Sequence, residues 1–556
     1  MVLKPSIDWA VPDLSLVEAG VRALEGAFDA AKAHVKPLVT KDDGRFDADK
    51  GNERQQILHG LSYFACELEA ARQTLAYARA VGAAGKKADL EELIAAVFTA
   101  GCLRRWRYGS DISGLEQIPA AELGLTPAVL AETLDSAGAR VLVERAGGTA
   151  ALTAVAELAD GRGNFGDMGI DDDLLREVQS QFQRFSDDVV APIAEHVHRK
   201  DELIGLDLIG QLAEQGVFGI TIPEQYGGSE LGKMGMVIVT EELTRGYIGV
   251  GSLGTRAEIA AELILTGGTD EQKQYWLPRI AAGEVLPTAV FTEPNFGSDL
   301  ANIKTRATKN GDGWLINGQK TWITHGSRAD LMTLLARSDA GAPGYKGLSM
   351  FLVTKTRGTE DDPFPDEGVT GSEIPVIGYR GMKEYEISFD DFKIPSEALL
   401  GGEEGRGFKQ LMETFESARI QTAARGVGLA RAGLELAYRY AKERKQFARE
   451  IFDFPRVYQK IARMIVDTQA ARQLTYFAAR MKESGKRCDL EAGMAKLLAT
   501  KVAFYVADAG VQVHGGNGYA EEYPISRVFC DARVLSIFEG ANEIQAHVIA
   551  RRVLED

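Results

Sequence analysis

The sequence predicts a mainly α-helical protein with one β-rich domain in the middle of the chain. Three observations support this prediction. The chain has 556 residues, which exceeds the usual size of one domain. Apolar residues recur at helical spacing towards both ends, and the middle is rich in β-branched and turn residues. We therefore predict four regions: 1–165, 166–285, 286–400 and 401–556.

The two ends of the chain carry the strongest helical patterns. Asn52–Val81 and Asp89–Arg107 place apolar residues on one helical face. Long stripes in the last region, such as Val457, Ile461 and Met464, predict a helix bundle. The Asp89–Arg107 stretch ends in three cations that either bind a phosphate or, more simply, interact with the helix dipole: Arg104, Arg105 and Arg107.

The second region also has a helical pattern, interrupted by a glycine motif. Gly249–Gly254 matches the GxGxxG pattern of dinucleotide-binding folds. The match follows a helical run rather than a strand, and no βαβ unit surrounds it. We therefore predict a loop here and no dinucleotide site.

The β-rich region carries the polar and aromatic residues of the predicted site. Leu315–Lys320 is predicted to form a hairpin, because it contains the common turn pair Asn-Gly. Thr292 and Thr324 would then lie on neighbouring β elements, with the indole of Trp322 beside them. This arrangement suits a planar cofactor, since the ring stacks on the indole and its polar edge binds the hydroxyls.

Charge and composition exclude several classes of protein. The net charge of −17 argues against nucleic acid or an anionic membrane surface as a partner. No apolar run is long enough to cross a membrane, and the N-terminus lacks the pattern of a signal or transit peptide. The four cysteines, Cys66, Cys102, Cys488 and Cys530, form no CxxC pair. These features predict a cytoplasmic protein without disulfide bonds or a bound metal.

Several sequence blocks resemble the acyl-CoA dehydrogenase family. A TEPxxGSD block begins at Thr292, a WLINGQKxWIT block ends at Thr324, and an FEGANEIQ block begins at Phe538. The resemblance covers roughly residues 170–556. It implies a helical domain, a flavin-binding β-barrel-like domain and a C-terminal four-helix bundle. The first 165 residues would be an additional helical domain.

The resemblance implies that Glu539 is the catalytic base. A thioester α-hydrogen is a weak acid, so its removal requires a carboxylate in a dry site. Some family members carry the base at the position of Ala418, which cannot act as one here. A helix-capping or surface acid is the alternative interpretation of Glu539.

The family reaction implies a defined set of steps. Glu539 would take the α-proton while the β-hydrogen leaves as a hydride to N5 of FAD. The backbone N–H of Glu539 and a flavin ribityl hydroxyl would polarise the thioester carbonyl. The product is a trans-2-enoyl-CoA, and an electron-transferring flavoprotein would accept the electrons.

The resemblance also implies which residues hold FAD. In the β-domain they are Phe291, Thr292, Ser298, Trp322, Ile323 and Thr324. In the last region they are Arg444, Phe447, Gln512, Gly515, Gly516, Ala541 and Glu543. The elements around Arg444 and Gln512 reach a neighbouring subunit's FAD in the family, which implies a homo-oligomer, with a dimer favoured. A surface cation and a tight turn are the alternatives for these two elements. Ala541 departs from the family's threonine.

Substrate contacts are implied at Ser298, Glu416, Arg419 and Gly540, where Arg419 supplies a cation for the polyanionic CoA. The helical extension and the short loop Gly378–Tyr385 resemble members that convert (2S)-methylsuccinyl-CoA to mesaconyl-CoA in the ethylmalonyl-CoA route of bacterial acetate assimilation.

Four further residues are candidates: three cations for a distal carboxylate of the substrate and one acid near the flavin. A buried distal carboxylate requires a paired cation, for which Arg256 is the first candidate and Arg245 and Arg380 are the next. The alternative for Arg256 is a helix-surface arginine. Glu384 is predicted in the shortened loop near the flavin, where it either tunes the flavin and screens it from oxygen or is a solvated loop acid.

Other functions remain open at this point. They include another short-chain or branched-chain acyl-CoA dehydrogenase, a glutaryl-type enzyme that decarboxylates, an acyl-CoA oxidase, a flavin monooxygenase and a non-catalytic binding protein. A carboxylate at position 539 argues against the monooxygenase. The first 165 residues either cover the surface by which family tetramers pair their dimers or add a stabilising layer.

Overall fold

The computed structural model describes residues 11–111 and 117–555. The helices are α1 (Leu14–Val35), α2 (Ala48–Glu53), α3 (Gln55–Ala83), α4 (Asp89–Trp106), α5 (Pro127–Glu132), α6 (Ala137–Ala146), α7 (Thr149–Arg162), α8 (Asp173–Phe185), α9 (Ala191–Lys200), α10 (Leu206–Glu214), α11 (Gly232–Gly246), α12 (Ile248–Gly267), α13 (Asp270–Ala281), α14 (Gly407–Glu443), α15 (Pro455–Glu483), α16 (Asp489–His514), α17 (Pro524–Val534) and α18 (Asn542–Glu555). None of the helices in the described ranges has the length and apolar character of a membrane span.

The strands are concentrated in the middle of the chain. They are β1 (Gly109–Asp111), β2 (Gln117–Pro119), β3 (Pro287–Val290), β4 (Arg306–Asn310), β5 (Gly313–Thr324), β6 (Leu331–Arg337), β7 (Leu348–Thr354), β8 (Val369–Ile374), β9 (Glu384–Pro395), β10 (Lys445–Gln446) and β11 (Arg449–Glu450). The chain divides into two units, Met1–Arg176 with Thr422–Asp556, and Glu177–Gln421.

The first unit is built around α3. This helix packs against α1 and α4 and also against α15, α16 and α18 from the other end of the chain. Its buried side chains include Leu61, Phe64 and Leu68. Within the bundle, α14 and α16 cross closely, because a Cβ at Gly426 would lie 3.0 Å from the backbone of Ala499. The N-terminal helices therefore share one hydrophobic interior with the C-terminal bundle.

The second unit contains a seven-stranded mixed sheet with the order β3-β6-β4-β5-β9-β8, in which β7 pairs with β6. The long strands β5 and β9 run antiparallel and form its centre. Side chains such as Ile316, Leu334 and Ile387 fill the core beneath the sheet. The predicted mainly helical architecture with a central β-domain and a C-terminal bundle is confirmed.

The predicted hairpin at Leu315–Lys320 is wrong. Strand β5 continues through this stretch, and the turn between β4 and β5 is formed instead by Gly311-Asp312. Gly318 has a packing role, since a Cβ there would lie 2.7 Å from the Cα of Thr305. Close approach of two backbones, and not a turn, requires this glycine.

The predicted loop at Gly249–Gly254 is also wrong. These residues form the first turns of α12. A Cβ at Gly251 would lie 2.8 Å from the backbone nitrogen of Thr244 on α11. The glycines therefore allow two helices to pack closely.

Candidate active site

Trp322 lies on a bulge in β5, where the pairing with β9 shifts register between Lys320 and Ile323. Its φ of 58° is left-handed, a conformation that costs a non-glycine residue about 1–3 kcal/mol. The indole is 57% exposed, although Thr321 and Ile323 on either side are buried. The bulge thus turns a flat apolar surface away from the core, where it is available for stacking on a planar ring.

Thr324 and Glu384 face each other across β5 and β9. The Thr324 hydroxyl lies 2.8 Å and 3.0 Å from the two carboxylate oxygens of Glu384, and both side chains are buried. An ionised carboxylate only accepts hydrogen bonds, so the hydroxyl donates to Glu384 and keeps lone pairs for a ligand. The predicted loop position of Glu384 is therefore wrong. The residue begins β9, because it continues the antiparallel ladder, and it is not a solvated acid.

The segment after β3 is held by a buried lysine. Lys320 Nζ lies 2.8 Å from the carbonyl oxygen of Phe291 and 3.1 Å from Oε1 of Glu293. Burial lowers the pKa of Lys320 to about 8, although Glu293 opposes this shift. The backbone N–H of Thr321 donates to the Thr292 carbonyl oxygen. Sequence reasoning missed Lys320, which fixes the Phe291-Thr292 pair beside the bulge.

His325 is a second residue that sequence reasoning missed. Its ring is 1% exposed, and neither ring nitrogen has a hydrogen-bond partner in the part of the chain that the structure describes. Burial lowers the pKa of His325 to about 3, assisted by the positive charges of Arg328, Arg357, Arg256 and Lys355. A neutral ring in a buried cationic environment is a place where an anionic group would be stabilised.

The candidate cations for a distal carboxylate differ in their surroundings. Arg256 is buried on α12, so its interpretation as a helix-surface residue is wrong. Arg245 forms ion pairs with Asp187 and Glu242. Arg380 donates to two backbone carbonyl oxygens in its own unit.

The remaining candidates of the second unit lie near its surface. Ser298 is exposed, and Glu416 and Arg419 on α14 are half-buried. The guanidinium carbon of Arg419 lies 6.0 Å from the centre of the Phe415 ring.

Glu539 lies in the turn between α17 and α18 in the first unit. Both Glu539 and Gly540 have left-handed backbones, with φ values of 54° and 89°. The carboxylate is 11% exposed and lies 3.9 Å from Nη2 of the fully buried Arg425. The Arg425 guanidinium also lies 4.8 Å from the centre of the Phe538 ring. Glu539 is therefore not a surface acid, and a strained conformation at such a position is typical of a functional residue.

A buried lysine that sequence reasoning also missed holds this turn from α16. Lys496 Nζ donates to the carbonyl oxygen of Gly540 at 2.8 Å and to Oδ1 of Asn542 at 2.9 Å. Gln545 Nε2 donates to the same Gly540 oxygen at 3.2 Å. Thr500 donates to Asn542 Oδ1 at 3.3 Å. These donors fix the backbone on which Glu539 sits.

The other predicted cofactor residues of this unit occupy two turns and the start of α18. Arg444 and the 89% exposed Phe447 belong to the β10–β11 hairpin. Gly515 and Gly516 end α16 with no atom within 4 Å of a Cβ at either position. Around these turns, Gln512 and Glu543 are exposed and Ala541 is half-buried.

These features fit FAD. The exposed indole provides a stacking surface for a flavin ring, and the Thr324 hydroxyl provides an acceptor for its polar edge. The open glycine turn lets a phosphate approach the backbone closely. Each unit also carries a polar group that could contact the rest of the cofactor, Ser298 in the second and Arg444 in the first.

Three family models match the chain. Residues 172–284 match the acyl-CoA dehydrogenase N-terminal domain, 288–392 the middle domain and 405–554 the C-terminal domain. The chain belongs to the acyl-CoA dehydrogenase family. It is an FAD-dependent oxidoreductase that dehydrogenates a CoA thioester, and the predictions of family, enzyme class and cofactor are confirmed.

Individual relatives agree with this assignment. A (2S)-methylsuccinyl-CoA dehydrogenase of Cereibacter sphaeroides is 52% identical over 546 residues, which are 98% of each chain. The structure of butyryl-CoA dehydrogenase from Megasphaera elsdenii has a TM-score of 0.64 and 33% identity, covering 68% of this chain and 97% of its own. A glutaryl-CoA dehydrogenase from Mycobacterium smegmatis in complex with FADH2 has a TM-score of 0.63 and 26% identity, covering 69% and 95%.

Proposed function

We propose that this enzyme oxidises (2S)-methylsuccinyl-CoA to mesaconyl-CoA. The observation that carries this proposal is the 52% identity to an enzyme of that name over 98% of both chains, including the N-terminal region. The alternative is another short-chain, branched-chain or glutaryl-type acyl-CoA dehydrogenase, or an acyl-CoA oxidase.

The electrostatics of the second unit support a substrate with a distal carboxylate. Arg256 is buried, and its charge acts on the buried neutral ring of His325 together with that of Arg328. A carboxylate at the end of the acyl group would be attracted by these positive charges, whereas a methyl group would not. Arg256 is the proposed partner of this carboxylate.

Glu539 is the proposed base that removes the α-proton. Lys496 holds the carbonyl of the next residue, Gly540, and the Arg425 guanidinium 3.9 Å away attracts the Glu539 carboxylate. The backbone N–H of Glu539 is proposed to polarise the thioester carbonyl, an oxyanion-stabilising role. FAD supplies the acceptor for the β-hydride when it is bound. Phe291, Thr292, Ser298, Trp322, Ile323 and Thr324 would hold it, together with the residues of the two turns in the first unit.

We also propose a homodimer in the bacterial cytoplasm that passes its electrons to an electron-transferring flavoprotein. The exposed Phe447 and the open glycine turn at Gly515 support contact with a second subunit. The N-terminal helices cover α15 and α16, which supports the hypothesis that they replace a dimer-pairing surface. The four cysteines form no disulfide bond within the described ranges, which supports a reducing compartment.

A panel of CoA esters tests the substrate proposal. We expect (2S)-methylsuccinyl-CoA to be oxidised faster than isobutyryl-CoA, butyryl-CoA and glutaryl-CoA with an artificial electron acceptor. Arg256→Met should raise KM for the dicarboxylic ester at least tenfold and leave KM for isobutyryl-CoA within twofold. A preference for a monocarboxylic ester, carbon dioxide release from glutaryl-CoA, or stoichiometric peroxide would each support an alternative instead.

A further inference from the structure

A cleft in the first unit is lined by none of the residues assigned to catalysis or FAD. It has a volume of about 690 Å³ and lies where α4 and α6 meet α15. This volume is within the range of small-molecule sites. Its lining residues are Gly101, Arg104, Arg105, Arg107, Tyr108, Leu134, Asp135, Arg140, Val143, Glu144 and Arg463.

Five of these lining residues are arginines and only two are acids, in a chain whose net charge is −17. Three separate parts of the sequence contribute them: the end of α4 and the residue after it, the start of α6, and α15. The three cations that the sequence shows at the end of α4 are thus only part of the cluster. Chain folding adds the other two, Arg140 and Arg463.

The arginines keep hydrogen-bonding capacity towards the cleft. Arg104 donates through Nη1 to the carbonyl oxygen of Gly147. Arg140 has no ion pair within the described residues. The side chains of Arg104 and Arg140 are both exposed. Because a guanidinium carries five N–H donors, each retains several for a ligand. The other three arginines each pair with one carboxylate: Arg105 with Glu67, Arg107 with Asp135 and Arg463 with Asp467.

Gly101 lets two of these cations approach the backbone of α4 closely. A Cβ at this glycine would lie 3.2 Å from Nη1 of Arg105 and 3.2 Å from Nη1 of Arg463. The two nitrogen atoms are therefore at most twice that distance apart. Two like charges held this close repel each other, and an anion between them would remove the repulsion.

We propose that this cleft binds the diphosphate group of a nucleoside diphosphate moiety. Guanidinium groups bind phosphate oxygens in a bidentate manner, and a diphosphate offers enough oxygens for several of them. Tyr108 is 79% exposed in the lining and provides a face on which a flat base can stack. Free adenine nucleotides and CoA both carry this chemistry. The site does not depend on the substrate proposed above.

Equilibrium dialysis of the FAD-containing enzyme tests the site, with inorganic pyrophosphate, ADP and CoA as separate probes. We expect Arg104→Ala/Arg140→Ala to weaken pyrophosphate binding at least tenfold and to leave kcat within twofold. The matched control Arg22→Ala/Arg45→Ala removes two exposed arginines of the same N-terminal region that do not line the cleft. It should bind pyrophosphate as the wild type does. Thermal denaturation checks that each variant is folded.

A second variant keeps the test decisive if the double variant fails to fold. Gly101→Ala places a methyl group between the guanidinium groups of Arg105 and Arg463. It should also weaken pyrophosphate binding at least tenfold. Loss of ADP binding together with pyrophosphate binding identifies free nucleotides as the source. Loss of CoA binding together with pyrophosphate binding, with ADP not bound by the wild type, identifies the CoA pool. The proposal is overturned if the wild type shows no saturable binding, or if the control pair weakens binding as much as the cleft variants.

Discussion

Replacement of Lys496 by methionine should slow the reaction, because this lysine holds the turn that carries Glu539. The change removes donors to Gly540 and Asn542 at 2.8 Å and 2.9 Å. Hydrogen bonds from a charged donor contribute about 1.5–3 kcal/mol each. Both acceptors keep one weaker donor, and the cost of burying the ammonium disappears, so we expect a net loss of about 2 kcal/mol.

This loss falls on the left-handed turn that carries Glu539. Because the lost hydrogen bonds offset the strain of that turn, its relaxation should displace the carboxylate and lower kcat about thirtyfold, the rate equivalent of about 2 kcal/mol. Stopped-flow reduction of the flavin by the CoA ester measures this step. KM should change little, because the substrate contacts remain.

Lys501→Met is the matched control for this prediction. Lys501 lies on the same helix and donates to the carbonyl oxygen of Asp111 at 2.6 Å, but it has no hydrogen bond to the Glu539 turn. It should retain kcat within twofold. The prediction is refuted if the flavin is reduced equally fast in the Lys496→Met and Lys501→Met variants while both have similarly lowered melting temperatures. Lys496 would then only support the fold.

Three further predictions concern the β-domain. Trp322→Ala should raise the FAD dissociation constant about tenfold through the loss of stacking, whereas Trp322→Phe should raise it much less. Flavin fluorescence measures both constants, and equal FAD affinities of the two variants would contradict the stacking role. Glu384→Gln keeps a hydrogen-bond acceptor for Thr324 but removes a negative charge, so the flavin midpoint potential should rise by about 30 mV or more. Spectroelectrochemistry measures this potential, and an unchanged value would exclude a tuning role for Glu384. The pKa of His325 is about 3 when folded and about 6.5 when unfolded, so between these values only the unfolded chain takes up a proton and stability falls as pH falls. Between pH 7 and pH 5 the free energy of unfolding of the wild type in urea should therefore fall by about 2 kcal/mol more than that of His325→Asn. An equal fall in both proteins would show that the ring is not held neutral.

The sequence blocks predicted the fold and proposed the candidate site residues, but they did not predict the backbone conformations of those residues. Trp322 and Glu539 are identified by their motifs, whereas their left-handed backbones depend on a register shift and on a lysine from another helix. Gly318 was predicted to lie in a turn because Asn-Gly is a local turn signal. Its packing role becomes clear only from its contact with Thr305, which is distant from it in the local pattern.

The supporting cations were missed for a related reason. Lys496 and Arg425 lie in helices whose apolar spacing gives no sign that a charged residue is buried there. Their partners lie more than forty positions away in the sequence, with separations such as 44 residues from Lys496 to Gly540. Buried polar pairs of this kind are set by tertiary contacts, which a single sequence does not reveal.

The central claim is that the Glu539 carboxylate removes the α-proton of a bound thioester. Anaerobic mixing of the FAD-containing enzyme with (2S)-methylsuccinyl-CoA tests it most directly, with flavin absorbance as the readout for the wild type and Glu539→Gln. We expect rapid bleaching in the wild type and bleaching about a thousandfold slower in the variant, at equal flavin content. Bleaching of Glu539→Gln at the wild-type rate would contradict the claim.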